Sequence, residues 1–236
     1  NAPKVTDLFG LSLTGMARAI RGIFEWRRAR SGMLTTNFAE AGGFIKSAPD
    51  EPVPDLQLHF VVGKLVDHGR KTVLGHGYSC HVCLLRPRSR GSLKLASADP
   101  QVAPLIDPAF LQDPDDVARL VRGFREVRRI MGQPALARHG GRESAASAEA
   151  QTDAQIEQFV RRHADTIYHP VGTCRMGPDA AAGAVVDAQL RVHGMEGLRV
   201  VDASVMPEVV GGNTNAPVIM MAEKAVDLMR AARAAA

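Results

Sequence analysis

The segment Asp113–Met131 constrains the fold more than any other stretch of the chain. Asp113 can cap a helix, Pro114 suits its first position, and Asp115 and Asp116 favour the positive end of the helix dipole. Val117, Leu120, Val121, Phe124 and Val127 then recur at helical spacing, and Gly132 ends the run. A helix striped in this way needs an apolar surface to lie on. Asp55–Val62 reads as a strand. Leu56, Leu58, Phe60 and Val62 share one face of a strand, and Gln57, His59 and Val61 share the other.

The remaining elements are read from the same periodicities. Residues 12–31 carry Leu13, Met16, Ile20, Ile23 and Phe24 at helical spacing, with Gly32 as a stop. Cys80–Leu85 and Ser92–Ser97 read as two strands of a hairpin turned by Pro87 and Gly91. Residues 137–151 are small and polar, a surface loop. Thr152 or Asp153 opens a shorter helix with Ile156, Phe159 and Val160 inward. Thr166–Pro178 is irregular, Leu198–Asp202 reads as a short strand, and a last helix begins near Pro217. Strands and helices do not alternate regularly, so the expected class is α+β, a mostly antiparallel sheet with flanking helices.

Composition narrows the function. The net charge is +4, but the arginines are scattered and aromatic residues make up 5%, too few for base-stacking platforms, so nucleic-acid binding is set aside. No run of about 18 apolar residues spans a membrane. Three cysteines, Cys80, Cys83 and Cys174, are too few for a disulfide framework and suit a reducing compartment. The expected location is the cytoplasm or the periphery of the inner membrane. There is no G-x-G-x-x-G after a strand, so this chain lacks the usual dinucleotide grip.

Two segments can carry chemistry. Tyr168-His-Pro-Val-Gly-Thr-Cys-Arg-Met-Gly177 places His169 in an irregular loop, where a histidine can take a proton from an alcohol or can simply be satisfied by backbone groups. Gly211-Gly-Asn-Thr-Asn-Ala-Pro217 precedes the final helix. Asn213 or Asn215 can cap that helix, and its exposed N-terminus can also stabilise developing negative charge. A third cluster, His76, Cys80, His81 and Cys83, suggests zinc. In a strand, however, Cys80 and Cys83 point to opposite faces, and small core cysteines are the commoner case, so no metal is expected.

Taken in order, His169-Pro-Val-Gly-Thr-Cys-Arg-Met-Gly177, Leu198-Arg-Val-Val-Asp-Ala-Ser-Val-Met-Pro207 and Gly212-Asn-Thr-Asn-Ala-Pro217 resemble the carboxyl-terminal signature of glucose-methanol-choline (GMC) oxidoreductases. Pro54–Phe60, Ser89–Pro100 and Ile106–Leu111 resemble the same family, in its choline dehydrogenase branch. The resemblance implies an FAD-dependent flavoprotein that oxidises a small primary alcohol, choline-like, to an aldehyde and passes electrons to an acceptor. It implies His169 as the catalytic base and Asn215 as the partner of the substrate oxygen. Tyr168, Asp202, Ala203, Asn213 and Thr214 fall at cofactor-binding positions. His59 matches a strand histidine that lines the substrate pocket, and a structural strand histidine is the other reading.

The same resemblance sets an expected organisation. Residues 1–187 would form the substrate-binding domain and residues 188–236 the segment returning to the FAD-binding domain, with the N-terminal Rossmann-type part absent. The chain alone would then be an inactive fragment that does not retain FAD and self-associates through apolar surface around residues 198–221. A dehydrogenase for another aliphatic or aromatic alcohol is the rival within the family, and a stand-alone binding domain is the rival outside it.

Overall fold

The computed structural model describes residues 5, 9–66, 70–71 and 73–234. In chain order the elements are β1 (Gly10–Leu11), α1 (Leu13–Ala29), β2 (Ala41–Ile45), β3 (Leu56–Val61), β4 (Gly75–His76), β5 (Ser79–Leu84), β6 (Ser92–Lys94), β7 (Leu105–Asp107), α2 (Pro114–Met131), α3 (Pro134–Ala137), α4 (Ala145–Ala148), α5 (Asp153–His163) and α6 (Asn215–Ala234). All the sheets are antiparallel: β2-β3-β5, and the pairs β1-β4 and β6-β7. This is the α+β arrangement expected from the sequence. Among the described residues no helix is long and apolar enough to cross a membrane. The chain divides into two compact units, residues 1–84 with 117–164, and residues 85–116 with 165–236.

In the first unit α2 lies on the β2-β3-β5 sheet. The β3–β5 register sets Leu56 opposite Leu84, Leu58 opposite Val82 and Phe60 opposite Cys80, so these six share one face. Gly123 on α2 meets that face. A Cβ there would stand 2.9 Å from Leu56 Cδ1 and 3.0 Å from Val82 Cγ2, so the approach of helix to sheet depends on a missing side chain. Val117, Leu120, Val121, Leu56 and Leu58 are buried, each worth roughly 1.5–3 kcal/mol. Phe124 packs on Phe159 of α5 at 5.4 Å between ring centroids. The helix caps form as expected. Asp113 accepts from Asp115 N at 2.8 Å, and Thr152 with Gln155 makes a capping box on α5.

A polar pin lies beside this core. Asp55 is 2% exposed and accepts from Ser47 N and Ser47 Oγ, both at 2.6 Å, with buried Arg119 at 3.9 Å. α1 packs the other way round from an ordinary amphipathic helix. Its glycine side, Gly15 and Gly22, is buried, while Leu13, Met16, Ile20, Ile23 and Phe24 are exposed.

Three expectations are corrected. Residues 80–85 and 92–97 do not form a hairpin, because β5 pairs with β3 and β6 pairs with β7. The intervening loop is instead drawn to the start of α2, where Asp116 accepts from Arg88 N and Ser89 N, each at 2.8 Å. Leu198–Asp202 is not a strand. Arg199 makes only an isolated bridge to Arg191, since Gly194 and Gly197, at φ +73°, reverse the chain tightly and the Asp202 side chain turns it into a 3-10 turn, Ala203–Val205. α6 begins at Asn215, near Pro217 as expected, but its cap is neither Asn213 nor Asn215. Val218 N donates to Thr214 O, which makes Thr214 the cap position and Pro217 the third helical residue.

Replacing Gly123 by Val overpacks the α2–sheet contact. The variant is expected to lose about 1–3 kcal/mol of unfolding free energy in a urea titration followed by circular dichroism. Unchanged stability would contradict the packing described.

Candidate active site

The second unit is built around Val186, Leu190, Val205 and Ala225, with Met176, Val200, Met221 and other partly buried side chains packed on them. Over this core runs the irregular segment that carries His169. Cys174 N donates to Ser204 O at 3.0 Å, Met176 N to Val205 O at 2.8 Å and Gly177 N to Val186 O at 2.9 Å. The histidine loop and the 3-10 turn Ala203–Val205 are therefore stitched together through their backbones. Gly172, at φ +88°, makes the bend between His169 and this seam.

His169 is half-buried and its ring is oriented from within the loop. Nδ1 lies within hydrogen-bond distance of Ile167 O. A carbonyl oxygen can only accept, so Nδ1 carries the proton and the neutral ring keeps a bare lone pair on Nε2. That is the state a general base requires. The loop reaches this shape through Tyr168, an exposed residue at φ +63°, whose N–H donates to Thr166 Oγ1 at 2.9 Å. Thr166 N in turn donates to Asp165 Oδ1 at 2.8 Å. A non-glycine residue in the left-handed region costs of order 1–3 kcal/mol, and such residues concentrate at functional sites.

The other predicted site residues in this unit fall on its turn and its helix end. The Asp202 side chain caps the 3-10 turn, accepting from Ser204 N at 2.8 Å, and Ala203 opens that turn. Asn213 and Thr214 lead into α6, and Asn215 is its first residue, exposed to solvent. Asn215 and Ala216 precede the first intrahelical bond, and Pro217 has no N–H to offer. The positive end of α6 is thus presented by two backbone donors. The Gly211–Gly212 pair leads into this end, with open space where a Gly212 side chain would stand.

His59 belongs to the first unit, on the sheet face opposite Leu56 and Leu58, as the alternation predicts, and in register with His81. Its Nε2 lies 3.7 Å from Cys83 Sγ. The zinc-like cluster is dispersed by the fold. His76 Nε2 and Ser12 Oγ are hydrogen-bonded at 2.7 Å, and Cys80 and Cys83 fall on opposite faces of β5. Among the described residues no three His, Cys, Asp or Glu side chains gather as a metal site. The role of the Ile167 carbonyl and the nearness of Cys83 to His59 are not legible in the sequence motifs. Asp165-Thr166, two residues prone to side-chain-to-backbone turns just before the histidine, was the available signal for the first.

Comparison with known proteins places these features in context. Residues 87–222 match the family model for GMC oxidoreductase. The chain is 47% identical over 220 residues to an alcohol dehydrogenase [acceptor] of Pseudomonas putida, covering 93% of this chain and 40% of that protein. It is 46% identical over 206 residues to the mitochondrial choline dehydrogenase of Mus musculus, covering 87% of this chain and 35% of that protein. The solved structure of an FAD-dependent oxidoreductase from Chaetomium thermophilum superposes with a TM-score of 0.65 at 29% identity, covering 77% of this chain and 29% of that one. The chain thus spans two fifths or less of the length of these relatives.

Burial pushes the Cys83 thiol up to about 11 and raises that of Cys80 as well. Below pH 9 Cys83 is then almost wholly protonated, with roughly one thiolate in a thousand at pH 8. Iodoacetamide is expected to label Cys83 very slowly at pH 8 and markedly faster above pH 10, as read by peptide mass spectrometry. Complete labelling within minutes at pH 8 would show that the thiol is not shielded.

Proposed function

The chain belongs to the GMC oxidoreductase family, and from that premise we propose that it forms the substrate side and part of the flavin side of an FAD-dependent alcohol dehydrogenase acting on a choline-like primary alcohol. The observation that carries this reading is the His169 ring, with Nδ1 committed to the Ile167 carbonyl and Nε2 left as a base. The names of the relatives support an alcohol as substrate and FAD as the cofactor.

The residues present fit the ring end of a flavin. The start of α6 offers backbone N–H groups and a positive dipole end, which suit the negative charge of a reduced flavin, and nothing stands within 4 Å of a Cβ built on Gly212. FAD, when bound, supplies the acceptor for the hydride leaving the alcohol carbon. The hydroxyl proton goes to His169 Nε2. Asn215 donates its side-chain amide to the substrate oxygen and so fixes the alcohol for both transfers. Tyr168, the backbone at Asp202 and Ala203, and Asn213 and Thr214 would hold the cofactor. In this reading residues 188–236 together with Tyr168 supply the cofactor-facing surfaces, and His169 is the substrate-facing histidine of the second unit.

The pyrophosphate grip of FAD needs a glycine-rich turn that this chain does not contain. The chain by itself is therefore proposed to fold without retaining FAD or turning over alcohol. Leu198, Val210, Ile219 and Met220 are exposed on it, an apolar surface suited to self-association.

In the whole flavin-loaded protein, His169→Ala is expected to slow anaerobic flavin reduction by alcohol about 10²–10⁴-fold, with FAD still bound. Stopped-flow absorbance at the flavin band measures this. Wild-type rates in the variant would remove His169 from the role of base.

A further inference from the structure

The loop Arg86–Gly91 belongs to none of the residues given a role above, yet it is firmly fastened within the second unit. Its anchor is Asp116, 1% exposed. The Asp116 carboxylate accepts from Arg88 N at 2.8 Å, from Ser89 N at 2.8 Å and from Ser89 Oγ at 2.7 Å. Ser89 Oγ also receives Asp113 N at 3.0 Å, which ties the same hydroxyl to the cap of α2. Hydrogen bonds to a buried carboxylate are charge-assisted and among the stronger ones in a protein, so this loop is a stiff platform.

From that platform two arginines reach the segment leading into α6. The Arg86 guanidinium covers Gly211. A Cβ on Gly211 would stand 2.8 Å from Arg86 Cζ and 3.0 Å from Nη1, and Gly211 is at φ +79°. Arg90 Nη2 lies 3.3 Å from Glu208 Oε1, a solvent-exposed pair that contributes register more than energy. Gly211–Gly212 is by composition the freest dipeptide of the segment, and nothing stands within 4 Å of a Cβ built on Gly212. A cover over Gly211 therefore restrains the joint at which residues 208–210 pass into Asn213–Asn215.

We propose that Arg86, held by the Asp116-fastened loop, is a positioning residue that sets the path of residues 208–214 and hence the placement of the Asn213–Asn215 helix start. This rests on the reading of that helix start as the cofactor- and substrate-facing end of α6. Arg86 acts through Gly211 and touches no reacting atom.

The test compares wild-type whole protein with Arg86→Met, which keeps the apolar stem and removes the guanidinium. Amide hydrogen exchange is followed by mass spectrometry at residues 208–216 and at β3, alongside flavin reduction by choline. Exchange at 208–216 is expected to rise about tenfold with β3 unchanged, and flavin reduction to slow with FAD affinity retained. Asp116→Asn serves as a second variant and is expected to loosen the same segment. Unchanged exchange at 208–216 in Arg86→Met overturns the proposal, as does an equal rise throughout the protein, which marks a merely structural role. If choline and other alcohols fail to reduce the wild-type flavin, the functional reading falls instead, and the exchange comparison still decides the role of Arg86.

Discussion

Two backbone hydrogen bonds, Cys174 N to Ser204 O and Met176 N to Val205 O, tie the histidine loop to the turn that leads towards α6, and the rest of the candidate site depends on that seam. Each is worth only about 1 kcal/mol net, so the bonds themselves do not hold the unit together. The energy comes from beneath them, where Val186 and Val205 are completely buried and Leu190 and Ala225 nearly so. Burying each of the larger side chains contributes roughly 1.5–3 kcal/mol. Apolar burial supplies the stability, and the hydrogen bonds choose which residue of the loop faces which residue of the turn.

Several groups at the candidate site have a structural task of their own. The Asp202 side chain caps the 3-10 turn, so any contact that residue makes to a cofactor falls to its backbone. Thr214 is the cap position of α6 and Pro217 lacks an N–H, which leaves the donors of Asn215 and Ala216 as the exposed end of the dipole. Tyr168 bears the strained backbone that lets the His169 ring fold back on Ile167. The strain is offset by the Thr166 and Asp165 side chains, which satisfy backbone N–H groups in the same turn.

What could be read in the sequence was what depends on neighbours along the chain. The cap and stripe of α2, the alternation of β3 and the opening of α5 at Thr152 are local patterns, and each appears where it was expected. What escaped depends on distant partners. Pro87 and Gly91 look like hairpin punctuation, but β5 pairs with β3, and the loop is held by Asp116, twenty-seven residues away in the case of Ser89. Leu198–Asp202 has strand composition, yet two left-handed glycines and a side-chain cap leave it a single bridge. The outward apolar stripe of α1 also has no local signature, since a helical period does not say which side is covered. The tautomer of His169 follows from a carbonyl two residues back, a contact that exists only once Tyr168 has turned left-handed.

The central claim is that the loop prepares His169 as a base before any substrate arrives. Nitrogen-15 NMR of the histidine rings tests it most directly, because protonated and bare ring nitrogens differ widely in chemical shift. With His169 assigned by its loss in His169→Gln, the neutral ring is expected to show Nδ1 protonated and Nε2 bare. A proton on Nε2, with Nδ1 bare, would contradict the account.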